Sequence, residues 1–197
     1  MYKKHIKRLL DLIFATLLIP LITIIVIIIG VCIKIEDKGP TLYIADRLGK
    51  NGNIYKMYKV RSMKVNAPDI RNTDGSTFNS DSDPRLTKVG LFIRKTSLDE
   101  LPQIYNVFLG NMSFIGPRPD LPEHKDYYTK EEIKKLEVSP GISGYNQAFY
   151  RNSTSWKERL KNDVYYVNHL SFTLDLKILM QTIKSVILKK GVFSDTK

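Results

Sequence analysis

Two carboxylates, Asp99 and Glu100, stand side by side in the stretch TSLDELPQ, a few residues after the basic pair Arg94 and Lys95. A carboxylate can attack phosphorus to form an acyl phosphate, which splits one difficult displacement into two easier ones. A plainer role competes with chemistry. Ser97 followed by Glu100 matches a helix capping box, with Asp99 in the first turn, where the helix dipole favours acids. Pro102 fits that helix poorly, since with Ser97 as cap it falls beyond the first four donors and costs a hydrogen bond. The two roles are compatible, because a cap fixes the direction of an acid.

The basic residues near this pair suit an anionic ligand. Lys59 and Arg61 alternate with Val60 in a predicted strand, which would aim both at one face. Arg94 lies five residues before Asp99, and Arg118 sits in GPRP, between two prolines that restrict its backbone. A guanidinium so presented matches the bidentate geometry of a phosphate. Taken singly each reads as a solvated surface charge; as a set around an acid pair they suggest a site for something anionic, whether acidic lipid headgroups, nucleic acid or a phosphorylated substrate. Other chemistries find no motif. GxxxxGK[ST], GxGxxG and GxSxG are absent, and His5, His124 and His169 are scattered rather than clustered as zinc ligands. No RNP, zinc-finger or helix-turn-helix signature supports a nucleic-acid partner.

The elements that must position these groups divide into an anchor and a globular remainder. The 197 residues are 43% hydrophobic and 26% charged, enough for one domain with a core, and the net charge of +11 must face something anionic. The single cysteine, Cys32, allows no intramolecular disulfide. From Leu12 to Ile33 no residue is charged, and 22 helical residues reach about 33 Å, the thickness of a bilayer core. Lysines and arginines flank the run on both sides, and Pro20 lies near its middle. A re-entrant helix-break-helix with both ends in the cytoplasm and an ordinary kinked transmembrane helix both satisfy this pattern.

After Gly39-Pro40, TLYIADRL and NIYKMYKVRSM around GKNG predict a β-hairpin with an Asn-Gly turn. Residues 65–84 predict a long polar loop, VGLFIRK and LDELPQIYNVFLG predict helices, and TKEEIKKLE predicts a short charged helix with a Thr cap. SPGISG predicts a turn. Near the C-terminus, Phe172, Leu176, Leu179, Ile183 and Val186 recur at helical spacing, an amphipathic helix for the core or for the membrane interface.

Over nearly its whole length the chain resembles the bacterial sugar transferases known as small monotopic phosphoglycosyl transferases. The text that carries the resemblance is collinear: KRLLDL, the apolar run with its proline, KMYKVRSM, DPRLTKVGLFIRKTSLDELPQIYNV, GNMSFIGPRP, SPGISGYNQ and DVYYVNHLSFTLDLKIL. The resemblance implies an α+β, mostly helical fold. A re-entrant membrane segment broken at Pro20 would occupy 1–38, and a compact cytoplasmic catalytic domain 39–197, at the cytoplasmic face of the cell membrane. It implies transfer of a sugar-1-phosphate from a UDP-sugar to polyprenyl (undecaprenyl) phosphate with release of UMP, the first membrane step of capsule, exopolysaccharide or glycoprotein glycan synthesis. Mg²⁺ is the implied cofactor. By the same match Asp99 is the nucleophile and a metal ligand, Glu100 assists, and Arg94 and Arg118 hold phosphate; Lys59, Arg61, Gln147 and Arg151 join the substrate-binding set. Two positions depart from the family text: Tyr150 replaces a small Gly, and Asn111 replaces an acid. The rival to catalysis is a silent membrane scaffold of a glycan-assembly complex. Membrane lipids, a second copy of the chain or downstream glycosyltransferases are the further partners to expect.

Overall fold

The computed structural model describes residues 1–70, 78, 80, 82–151 and 153–188. Most of the predicted loop at 65–84 therefore lies outside the described residues.

A single π-helical turn, Tyr2–Ile6, leads into α1, Lys7–Asp37. At 1.5 Å per residue α1 is about 46 Å long. Asp11, Ala15, Ile22, Val26, Ile29 and Ile33 are buried along it. Their three- and four-residue steps form one stripe facing the rest of the protein, while Leu17, Leu21, Ile24, Ile27, Ile28 and Val31 stay exposed. Among the described residues this is the one helix long and apolar enough to cross a membrane. The helix runs through Pro20 without interruption. Proline removes a backbone donor, and the Thr16 hydroxyl donates to the Leu12 carbonyl (2.8 Å) just before it. The buried stripe continues on both sides of Pro20, so packing holds the two halves to one surface.

That surface meets both ends of α1. At the start, Arg8 donates to the carbonyls of Val107 and Phe108, and the Asp11 carboxylate accepts from the Phe114 N–H (3.1 Å). Midway, the Thr23 and Tyr105 hydroxyls share a hydrogen bond of 2.8 Å. At the end, Glu36 accepts from the N–H groups of Lys88 (2.6 Å) and Val89 (2.9 Å). These are free donors at the start of α2, Lys88–Lys95, which Thr87 also caps through Gly90.

The hairpin forms as expected: β1, Leu42–Leu48, pairs antiparallel with β2, Ile54–Val60, in the register Leu42↔Val60 to Leu48↔Ile54. Asn51 (φ 59°) and Gly52 (φ 76°) supply the left-handed turn. The predicted helix LDELPQIYNVFLG is split. A 3₁₀ turn covers Leu98–Glu100, and α3, Gln103–Leu109, starts afresh after Pro102 and closes at Gly110 (φ 88°). Pro102 cannot donate to the preceding turn but is well suited to begin a new one.

SPGISG is more than a turn. Its centre, Gly141–Ser143, is the strand β4, parallel to β3, Ser113–Ile115. A Cβ on Gly141 would lie 2.1 Å from the Gly116 nitrogen, so the two segments can meet only as glycine backbone. The charged helix at 129–137 is a 3₁₀ helix, Glu132–Glu137, and keeps the reciprocal Thr129–Glu132 cap. Three helices complete the chain: α4 (Tyr145–Phe149), α5 (Trp156–Asn168, opened by a Ser155–Glu158 capping box) and α6 (Phe172–Ile187).

One core joins α1 to the hairpin and to α2 and α3, through Ile33, Met57, Val60, Ile93, Ile104 and Val107. Packing thus crosses the composition boundary at residue 38. A second cluster, Ile115, Val138, Tyr166, Val167 and Ile178, lies under β3, α5 and α6. In α6 the inward residues are Asp175, Ile178 and Ser185, whereas Phe172, Leu176, Leu179, Ile183 and Val186 are exposed. The apolar stripe read from the sequence therefore points away from this chain's own core.

Candidate active site

Asp99 and Glu100 lie on the 3₁₀ turn between α2 and α3. The capping box predicted around them does not form. Ser97 is left-handed (φ 58°) and its side chain caps nothing, while Glu100 turns instead to Lys59 of β2, whose Nζ donates to Oε1 at 2.8 Å. Ser97 thus keeps a conformation that non-glycine residues seldom adopt, two residues from Asp99. Lys59 is aimed by a buried asparagine that sequence reasoning passed over. Asn106 of α3 accepts from the Tyr58 N–H (3.0 Å) and donates to the Lys56 carbonyl (2.7 Å), clamping β2 against α3. Gln103, the last letter of TSLDELPQ, is buried and also hydrogen-bonds Glu100. Its three-residue spacing from Glu100 was the available signal.

The two acids titrate apart. Burial is the largest influence on Asp99, and with the neighbouring Glu100 charge it pushes the carboxyl up to about 6 against the pull of Lys59 and Arg94. Burial also opposes charge on Glu100. There Lys59 and Arg118, with hydrogen bonds from Lys59 and Gln103, outweigh it and hold the carboxyl below the usual range. Arg151, after α4, also feels the Glu100 charge. Arg94, at the end of α2, feels Asp99 and Glu100 and donates from Nε to Ser62 Oγ (2.9 Å). The fold has therefore gathered Lys59, Arg94, Asp99, Glu100, Arg118 and Arg151 from five separate segments.

Among the described residues, three sequence candidates make no hydrogen bond or ion pair with the acid pair. Arg61 lies just past the end of β2, where strand alternation no longer applies. Its guanidinium is spent on the Asp37 carboxylate and on the carbonyls of Pro40 (2.6 Å) and Met63 (2.9 Å), locking the end of α1 to the hairpin. Gln147, in α4, has its amide oxygen and nitrogen buried without a hydrogen-bond partner among the described residues, close against Gly144. Pro20 is in the middle of α1. Of the departures from the family text, Tyr150 is exposed beside Tyr145, and Asn111 follows the cap of α3.

An acid with a raised pKa beside an ionised acid, ringed by guanidinium and ammonium groups, can attack a phosphorus and stabilise the charge that builds on it. The donor set also fits a hard divalent cation. Among the described residues Asp99 forms no ion pair with a lysine, arginine or histidine, and no cluster of three or more acid, His or Cys side chains forms a cage. Mg²⁺ sites of this type use one or two carboxylates and take the remaining ligands from water and substrate phosphates.

Comparison with known proteins gives a consistent result. Residues 2–189 match the family model described as bacterial sugar transferase. A galactosyl transferase of Streptococcus agalactiae is 40% identical over 94% of this chain and 43% of its own length. An uncharacterized sugar transferase of Bacillus subtilis is 37% identical over 95% of this chain and 90% of its own length. The UDP-glucose:undecaprenyl-phosphate glucose-1-phosphate transferase of Escherichia coli is 35% identical over 95% of this chain, which spans 41% of that relative.

Proposed function

We infer the function of this chain from one premise: it belongs to the bacterial sugar transferase family. The reaction that the site supports best is transfer of a sugar-1-phosphate from a UDP-sugar to undecaprenyl phosphate. Relatives named for glucose-1-phosphate and N-acetylgalactosamine-phosphate transfer to that lipid support the donor and acceptor classes. The observation that carries the reading is the placement of Asp99 and Glu100 on one turn, within reach of Lys59, Arg94, Arg118 and Arg151.

In this reading Asp99 attacks the phosphorus that bears the sugar. The bond from that phosphorus to the bridging oxygen breaks, UMP leaves with the oxygen, and the phosphosugar stays on the Asp99 carboxylate as an acyl phosphate. An oxygen of the lipid phosphate then attacks the same phosphorus and frees the carboxylate, giving polyprenyl-diphosphate-sugar. A carboxylate with a raised pKa is the better nucleophile, and Glu100, held ionised by Lys59 and Arg118, keeps that edge of the site acceptor-only. Arg94, Arg118 and Arg151 bind and orient the diphosphate. Asp99 would hold Mg²⁺ together with the donor phosphates, and the ion when bound supplies charge neutralisation.

The lipid acceptor requires a site at headgroup height on the cytoplasmic face. A monotopic, re-entering α1 is supported by the contacts of Arg8 and Glu36, which tie both ends of the helix to one domain. The exposed apolar stripe of α6 supports an interfacial position beside it. UMP release from a panel of UDP-sugars, with Mg²⁺ and undecaprenyl phosphate, tests the reading. Release with one donor, lowered by about 10³ or more in Asp99→Asn, is expected; full turnover by Asp99→Asn overturns the aspartyl step.

A further inference from the structure

Behind the site lies a buried ionic knot with no part in the steps above. Lys135 is 3% exposed, and its ammonium meets Asp120 at 2.7 Å and Asp163 at 2.8 Å. Asp120 also accepts from the Tyr128 hydroxyl (2.7 Å), and its backbone carbonyl accepts from the Leu48 N–H (2.9 Å). Burying three charges is costly, and a hydrophobic trio of similar volume commonly serves stability as well or better. Stability alone therefore explains this knot poorly.

Its remaining bond has a consequence for the site. Lys135 Nζ donates to the backbone carbonyl of Arg118 at 3.1 Å. Arg118 lies between Pro117 and Pro119, neither of which has an N–H to donate; the Pro117 carbonyl still accepts from the Gly141 N–H (2.9 Å), whereas the Arg118 carbonyl takes its partner from the Lys135 side chain. The carbonyl is thus held by an ammonium that is itself buried and fixed by two carboxylates. The Arg118 side chain lies within electrostatic reach of Glu100 in the acid pair.

We propose that Lys135, fixed by Asp120 and Asp163, is a positioning residue that sets the Arg118 backbone and so aims its guanidinium at the diphosphate of the donor. The inference rests on the function proposed above, through the role of Arg118. It assigns Lys135 no contact with substrate.

The test is a cycle of UDP affinities, measured by calorimetry with Mg²⁺ on the detergent-solubilised full chain. Lys135→Met alone would strand two buried carboxylates, so the informative variant is the neutral triple, Lys135→Met with Asp120→Asn and Asp163→Asn. It keeps volume and removes the charges together. The triple variant should melt near wild type and bind UDP about tenfold more weakly, the order expected when a gripping group loses its orientation. Added to Arg118→Ala, it should cost nothing further, because the group it aims is gone. A folded triple variant that binds UDP like wild type, or losses that multiply in the combined variant, overturns the positioning role. UMP release by the wild type is measured in parallel. A wild type that neither binds UDP nor releases UMP fails the proposed function instead.

Discussion

Asp99 and Glu100 share one turn and nearly the same neighbours, yet burial wins at one and positive charge at the other. The difference predicts a titration. In metal-free protein the Asp99 carboxyl, followed by carbon-13 NMR, should have its midpoint near 6. Because the raised value favours the proton, Asp99 is mostly protonated below that midpoint and becomes available for the proposed attack as pH rises through it. Mg²⁺ stabilises the anion and should move the midpoint down; a midpoint unmoved by saturating Mg²⁺ would remove Asp99 from the metal's ligands. Lys59→Met should lower kcat/KM for UMP release by about a hundredfold, since it deprives buried Glu100 of its nearest cation, with partial rescue in Lys59→Arg. Retained activity in Lys59→Met would show that Glu100 needs no partner. At this scale the sequence was informative wherever a motif was contiguous: DE, GPRP and the arginine before the acids. It misled at Arg61, because period-two reasoning holds only inside a strand and β2 ends at Val60. Asn106 and Gln103 were hidden for another reason, their work being visible only once β2 lies against α3.

Elements with local punctuation were readable: the Asn-Gly hairpin, the Gly110 stop and the Thr129 cap; the Ser155 capping box was not singled out. The parallel pair β3–β4 was not, since its strands have three residues each and lie far apart in sequence. What specifies it is the contact of Gly116 with Gly141, which no periodicity reveals. A methyl at residue 141 has no flexible side chain to push aside, only backbone. Gly141→Ala should therefore lower the melting temperature by roughly 2–12 °C, from about 1–3 kcal/mol of overpacking in a chain of this size. Activity should fall with it, because the same contact carries the chain into Pro117-Arg118; an unchanged melting curve would contradict the packing described. The α6 stripe was located by its spacing, which left its direction open, because amphipathicity does not distinguish a core from a lipid surface.

For the whole molecule, the apolar run announced a membrane helix, and nothing in its composition announced that one side of it would be a wall of the protein core. If α1 re-enters, both of its ends lie on the cytoplasmic side. Cysteines introduced at Lys4 and at Lys38, in a Cys32→Ser background, should then react with an impermeant maleimide in inside-out vesicles and in neither case from the outside. Labelling of the two positions from opposite sides would establish a spanning helix. The shared core also bears on biogenesis. Residues 15–33 leave the ribosome well before Ile93, Ile104 and Val107, the side chains that they meet in the finished protein. Until those emerge, the inner stripe of α1 can be sheltered only by lipid or a chaperone. If the helix is by then seated in a bilayer, the rest of the chain condenses onto it and must displace whatever covered that stripe. If α1 inserts, folding of this protein is in that sense a membrane event, and a chain relieved of α1 would lack the surface on which its first core assembles.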